Sequence, residues 1–296
     1  MDNGTEIGGF DLYCTSDVLT GSGISSSAAF ETLIGTIIDA YYNGGRSGAI
    51  EIAKIGQFAE NVYFGKQSGL MDQTVSSVGG LVSIDFIDAE NPIVKSFNFD
   101  FEEYGYCLCI TDTKSSHADL TDDYTAIRSE METVARQFGK PCLRQVSEAA
   151  FYNDIPRLRK SCSDRAIVRA AHFFEENKRV EAEVLALKEN RFKDFLNNIT
   201  ASGNSSWKWL QNCFTNSDYQ EQGITVTLAL TELFIAEKQK GACRVHGGGF
   251  AGVIMAVLPN ELVDEFIHYI EKCTGEGSAY RMSIRPYGAI CFNDRI

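Results

Sequence analysis

From Ala28 to Tyr42 apolar residues recur at helical spacing, at Phe30, Leu33, Ile34, Ile37, Ile38 and Tyr41, and the run stops at Asn43-Gly44-Gly45. A second helix is predicted over Ser47 to Tyr63, with Ile50, Ala53, Phe58 and Val62 as its core face. Ahead of both, Gly8 to Val18 alternates, with Phe10, Leu12 and Cys14 on one face, and reads as a strand. Leu81 to Phe86 and Ile93 to Phe99 read as a hairpin joined through Asn91-Pro92, and Tyr106 to Thr111 is apolar throughout, as a central strand would be. After Asp112 the pattern changes. Residues 113–123 are polar and helices dominate from there, notably Ala166 to Ile199 and Gln222 to Lys238. Glu175, Glu176, Lys178, Arg179, Glu181 and Glu183 are expected to form a solvated face, and Ser202 to Ser206 a loop that ends the helical region. A strand over Val253 to Leu258, an amphipathic helix over Leu262 to Cys273 and a closing strand at Met282 to Ile284 complete the chain. The expected domains are therefore 1–112 and 113–296.

Composition narrows the class. The chain has 296 residues, 44% hydrophobic and 23% charged, enough for a sizeable core. Its net charge of −13 argues against a nucleic-acid partner, whose phosphates are met by basic residues. Trp207-Lys208-Trp209 then reads as packing rather than base stacking. No run of 18 apolar residues is present, so no membrane span is expected, and Met1 to Thr5 does not read as a secretory leader. Nine cysteines are scattered, and Cys107-x-Cys109 has no second pair to complete a metal site. Buried thiols in a reducing, cytoplasmic setting are the expectation.

Two stretches carry candidate chemistry. Thr20 to Ala29 holds two glycines and four serines directly ahead of a helix. Small residues permit close backbone approach, and a helix start offers unpaired N–H groups and a positive dipole end to phosphate. A polar loop capped by Ser25 or Ser26 is the plainer alternative. Gly69 to Gly80 contains one acid, Asp72, among small neutral residues, where capping a short helix competes with catalysis.

The motifs agree on a family. Gly21-Ser22-Gly23-Ile24-Ser25-Ser26-Ser27-Ala28 resembles the G-x-G-L-S-S-S-A phosphate loop of the GHMP small-molecule kinases, and of galactokinases in particular. Met71-Asp72-Gln73, following Ala59-Glu60-Asn61-Val62-Tyr63, resembles the galactokinase segments M-D-Q-x-x-S and A-E-x-x-Y/F at their spacing. Asp122 to Arg128 resembles S-E-Y-x-x-R-R, with Ser129 at the second arginine. Gly241 to Gly252 resembles G-A-x-x-x-G-G-G-F-G-G, with Ala251 where glycine is usual, and Pro286 to Ala289 resembles P-x-x-G-A. The resemblance runs from about Gly9 to about Ile290.

It implies an α+β, two-domain GHMP kinase fold, with a ribosomal protein S5 domain 2-like N-terminal part and a ferredoxin-like C-terminal domain carrying extra helices. It implies transfer of the ATP γ-phosphoryl group to the C1 hydroxyl of galactose. Gly21, Ser22, Gly23, Ile24, Ser25, Ser26 and Ser27 would hold phosphate, with Gly247, Gly248 and Gly249 supporting the ATP site. Ser27 and Glu60 would hold Mg²⁺. Asp72 takes the place of the catalytic aspartate, as proton acceptor or as orienter, and Gly69, Asp72 and Tyr124 take sugar-side positions. The galactokinase first motif, G-R-V/T/I-N-L-I-G-E-H-T-D-Y, with its catalytic arginine and sugar-binding acids, does not occur in this chain. The chain is accordingly expected to be an incomplete copy, lacking part of the sugar site. Alone it is expected not to phosphorylate galactose and to self-associate through an uncovered sheet. Another GHMP kinase, acting on an amino sugar, arabinose or a non-sugar alcohol, and a non-catalytic regulatory remnant stay open as alternatives.

Overall fold

A computed structural model describes residues 6–17, 24–65, 68–88, 90–115 and 120–292. Contacts divide the chain into two units, residues 1–100 with 284–296, and residues 101–283.

In the first unit, helix α1 (Ser26–Tyr42) is followed by α2 (Ala49–Phe58), which runs on through a π-helical turn (Ala59–Tyr63), and by α3 (Met71–Val78). Strands β1 (Leu81–Asp85) and β2 (Ile93–Phe97) form the expected antiparallel hairpin, Leu81 opposite Phe97 and Asp85 opposite Ile93. The helices approach closely because small residues face their neighbours. A Cβ at Gly35 of α1 would lie 2.9 Å from Ile52 Cγ2. One at Gly56 of α2 would lie 3.2 Å from Glu31 Cβ and 3.4 Å from Gln73 Cγ.

This packing overturns two expectations. The buried faces are Ala28, Thr32, Asp39 and Ala40 on α1 and Ile52, Ala53 and Gly56 on α2. Of the core face expected on the second helix, Ala53 is buried and Ile50 half-buried, but Phe58 and Val62 turn outward, 47% and 58% exposed, as does Phe30 of α1 at 55%. Helical spacing identifies an apolar stripe, but close glycine contacts decide which stripe meets the neighbour. The strand expected over Gly8 to Val18 is also not formed in its described part. Residues 6–17 pair with no strand of the described residues. A strand exists only where a neighbour takes its backbone hydrogen bonds. The segment lies instead against the end of α1, where Tyr42 Oη donates to the Gly9 carbonyl (3.2 Å).

Residues 285–288 lie against the end of α3. Gly80 N–H donates to the Arg285 carbonyl (2.7 Å) and Gly288 N–H to the Val78 carbonyl (3.1 Å). A Cβ at Gly79 would fall 2.1 Å from the Tyr287 carbonyl carbon, and one at Gly288 2.0 Å from the Ser77 oxygen. Both glycines are therefore required by backbone-on-backbone contact.

The second unit holds a four-stranded antiparallel sheet in the order β4 (Ala242–Val245), β5 (Val253–Pro259), β3 (Tyr106–Asp112), β6 (Ala279–Met282). Strand β3 is central, as its apolar run predicts, and pairs Tyr106 with Pro259 through Asp112 with Val253. Because β3 hydrogen-bonds to β5 and β6, the contact division falls at Asp100, whereas the composition change falls at Asp112. The helices are α4 (Thr121–Arg136), α5 (Glu148–Asn153), α6 (Ile155–Leu158), α7 (Asp164–Lys188), α8 (Phe192–Ser205), α9 (Gly223–Lys238) and α10 (Val263–Thr274). One core joins the sheet to α9 and α10 through Cys109, Ile254, Leu258, Leu228, Phe266 and Ile270. A second joins α4 to α7 around Val134, Phe151, Leu158 and Phe174. Ser202 to Ser205 is not a loop but the last turn of α8, and the helical path continues through a π-turn at Ser206–Leu210.

The charged face of α7 is only partly solvated. Arg179 Nε donates to Glu176 (2.7 Å), and Ser202 Oγ, which also hydrogen-bonds Glu176, receives Arg244 Nη1 (2.6 Å). His172 Nδ1 meets Ser205 Oγ at 2.9 Å. Glu176, Arg179 and Glu183 are half-buried because this part of α7 packs against α8. Burial pushes the His172 imidazole down to about 4. Burial also pushes the Glu183 carboxyl up to about 7, against the pull of Arg244.

These shifts set opposite pH limits. A carboxyl raised from 4.5 to about 7 contributes stability fully below 4.5 and loses it as pH rises through 7. A histidine depressed from 6.5 to about 4 contributes above 6.5 and loses it as pH falls through 4. Glu183→Gln is therefore expected to flatten the fall in thermal midpoint between about pH 5 and pH 8 while leaving the acid limb in place. An unchanged alkaline limb in scanning calorimetry would contradict the buried carboxyl.

Candidate active site

In the first unit, Ser25 precedes α1 in the left-handed region (φ 62°, ψ 41°), and its side chain makes no cap hydrogen bond. The serine cap considered from sequence is thus not formed. The first-turn amides of a helix have no intrahelical partner, so this start offers donors to an anion. Ile24, Ser25, Ser26 and Ser27 lie at this start, and Gly21, Ser22 and Gly23 lie outside the described residues.

Ser27 Oγ donates to Glu60 Oε1 (3.2 Å). Glu60 is only 4% exposed, and sits in the π-helical turn that extends α2. The other oxygen, Glu60 Oε2, accepts from Gln73 Nε2 (3.0 Å), which also donates to Glu31 Oε2 (3.0 Å). Sequence reasoning missed Glu31, which lies 42 residues from its partner and looks like an ordinary polar position on α1. The two residues assigned to Mg²⁺ are thus brought together. A hydroxyl and a carboxylate oxygen suit a hard cation that takes its remaining ligands from water and phosphate. Among the described residues no cluster of three acidic, histidine or cysteine side chains offers an all-protein metal cage.

Asp72 stands in the first turn of α3 and is exposed. It is not the cap, since Leu70 precedes the helix, and no hydrogen bond to its carboxylate is made among the described residues. A carboxylate there is favoured by the helix dipole. The approach to α3 is fixed from α2 and its π-turn: Asn61 Oδ1 accepts from Ser68 N (2.8 Å), and Gln57 Nε2 donates to the Ser68 carbonyl (3.0 Å). Gly69, next in line, is exposed, with open space around its Cβ direction.

In the second unit the glycine loop 247–249 meets the start of α4. Tyr124 Oη donates to the Gly249 carbonyl (2.9 Å), and its ring sits edge-on to Phe250 at 5.4 Å. Burial, and then the Asp123 charge, push the Tyr124 hydroxyl above its ordinary pKa. Asn212, which no local pattern singles out, holds the same loop. Its Nδ2 donates to the Gly248 carbonyl (3.0 Å), and its own carbonyl accepts from Phe250 N (2.6 Å).

Comparison with known proteins identifies the family. The GHMP kinases N terminal domain matches residues 1–80. A galactokinase of Actinobacillus pleuropneumoniae is 34% identical over 272 residues, 90% of this chain and 67% of that protein. A galactokinase of Glaesserella parasuis serovar 5 (strain SH0165) is 34% identical over 259 residues, 87% of this chain and 64% of that protein. The chain thus spans about two thirds of the length of these relatives. Lactococcus lactis galactokinase, solved with galactose, superposes with a TM-score of 0.72 at 23% identity, covering 92% of this chain and 68% of that one. L. major mevalonate kinase, solved with R-mevalonate, gives 0.58 at 12% identity, covering 91% and 68%. The fold is that of the GHMP kinases. Within that class, the chain belongs to the galactokinase family.

The two loop glycines should respond differently to substitution. A Cβ at Gly249 would lie 2.1 Å from the Asn212 carbonyl oxygen at a φ of 81°, so both backbone and strain oppose it. At Gly248 it would meet a side chain rather than backbone, Tyr124 Cε1 at 2.7 Å, with no left-handed φ to add strain. Gly249→Ala is expected to destabilise by about 2–4 kcal/mol and Gly248→Ala by about 1 kcal/mol, read by urea unfolding. Equal losses would mean that Asn212 does not fix this loop.

Proposed function

We propose that the protein transfers the γ-phosphoryl group of ATP to the C1 hydroxyl of galactose. The observation that carries this reading is the Ser27–Glu60 pair beside a helix start that no side chain caps. Phosphoryl transfer asks little covalent chemistry of a protein, and mostly positioning and charge stabilisation. Backbone N–H groups of Gly21 to Ser27 donate to the phosphates, and Gly247, Gly248 and Gly249 support the nucleotide side. Ser27 and Glu60 hold Mg²⁺, which when bound neutralises charge on the phosphate oxygens. Asp72, exposed and unspent in hydrogen bonds among the described residues, takes the sugar hydroxyl proton or orients that hydroxyl. Gly69 and Tyr124 are sugar-side residues. The engagement of the Tyr124 hydroxyl by Gly249 favours contact through its ring. The cytoplasm is the proposed location. All nine cysteines are unpaired, and among the described residues no helix is long and apolar enough to cross a membrane.

The test is galactose-dependent ADP release, expected of a version extended upstream by the family's first motif and not of this chain alone. In the active form, Asp72→Asn is expected to lower turnover by about 10²–10⁴-fold. Stabilisation by Mg²⁺-ATP should survive, at about 2.7 kcal/mol for a hundredfold excess over Kd. Near-normal turnover in Asp72→Asn would remove the aspartate from the chemistry.

Self-association is a second part of the proposal. Beside the sheet route expected from sequence, the first unit leaves Phe30, Phe58 and Val62 exposed, and exposed apolar surface favours association. Sedimentation velocity is expected to show species above the monomer, diminished in a Phe30→Glu, Phe58→Glu double variant. A concentration-independent monomer would refute it.

A further inference from the structure

Gln73 is 1% exposed, and its amide nitrogen is shared between two carboxylates from different elements, Glu31 of α1 and Glu60 of the turn after α2. Buried acceptors of this kind are costly unless donors meet them. The single nitrogen supplies one N–H to each. Glu60 is thereby held from behind at Oε2, which leaves Oε1 turned to Ser27 Oγ. A second observation points the same way. Gly56 backs the arrangement, and a Cβ there would press on Glu31 Cβ at 3.2 Å, Glu31 Oε2 at 3.3 Å and Gln73 Cγ at 3.4 Å. No larger residue fits without moving the clamp.

We infer that Gln73 is a positioning residue for the cation side of the site. It fixes the direction of the Glu60 carboxylate by tying it to Glu31, with Gly56 as the surface against which the clamp is seated. Gln73 touches neither nucleotide nor cation in this role; it acts through Glu60. Glu31 acts one step further back, as the anchor of the amide. The inference rests on the reading of Ser27 and Glu60 as the Mg²⁺ residues.

The experiment titrates Mg²⁺ against the full chain at fixed ATP, following thermal stability, with an ATP-plus-chelator control. Gln73→Met keeps the side-chain length and removes the donor. It is expected to raise the Mg²⁺ midpoint about 10- to 100-fold, the usual effect of losing a residue that orients a metal ligand. Stabilisation by metal-free ATP should stay as in the unmodified chain. Gly56→Ala, which removes none of the four polar side chains but displaces the clamp, is expected to move the midpoint in the same direction, and serves if Gln73→Met does not fold. A purely structural role would lower the melting temperature alike with and without Mg²⁺ and leave the midpoint within about twofold, which would overturn the inference. A chain that Mg²⁺-ATP does not stabilise at all would overturn the ATP-binding reading itself, together with this one.

Discussion

Close contact between α1, α2 and α3 is the constraint on which the first unit depends. It is set by the absence of side chains at Gly35 and Gly56. With nothing between the backbones, Glu31, Glu60 and Gln73 reach one another, and a carboxylate from the turn after α2 meets a serine at the start of α1. The same choice has a visible cost. Apart from Ile52, small and polar residues occupy the contact, and Phe30 and Phe58 are left toward solvent. Polar geometry at the site and apolar exposure at the surface are two results of one packing decision.

The second unit solves a comparable problem with hydrogen bonds. A run of three glycines has wide conformational freedom, and freedom must be removed if the loop is to hold one shape. Two carbonyls of that loop are claimed, one by Asn212 and one by Tyr124, and Phe250 is held in the left-handed region (φ 62°) by a bond from its N–H to Asn212. The loop is thereby ordered by side chains that come from far along the chain, not by its own sequence. The ion pair of buried Arg169 on α7 with half-buried Glu130 on α4, and the Glu176–Ser202–Arg244 set that links α7, α8 and β4, do similar work.

What could be read in advance follows from the range of the forces involved. Helix α1, the β1–β2 hairpin and strand β3 rest on local periodicity, and their residues announce them. The phosphate loop and the Met71-Asp72-Gln73 segment are contiguous, and so could be matched to a family. Glu31 and Asn212 could not be found this way, since their partners lie 42 and 36 residues off and their own neighbours carry no signal. The segment over 6–17 alternates as a strand should, but alternation describes one chain and pairing needs two. Outward-facing Phe58 and inward-facing Glu176 were misjudged for a shared reason. Hydrophobicity ranks residues one at a time, whereas burial is decided by the element that packs across from them.

The seat of residues 285–288 on the end of α3 bears on the order of synthesis. Gly79 and Gly80 leave the ribosome some two hundred residues before the backbone that closes over them. Domains otherwise tend to fold as they emerge, N-terminal parts first. Here the helices that carry Ser27, Glu60 and Asp72 must wait, with one end of α3 uncovered, until nearly the whole second unit has been made. The loop to be closed is long, yet closure entropy grows only slowly with length, so the delay costs time more than stability. The first unit is begun before the second and closed only after it.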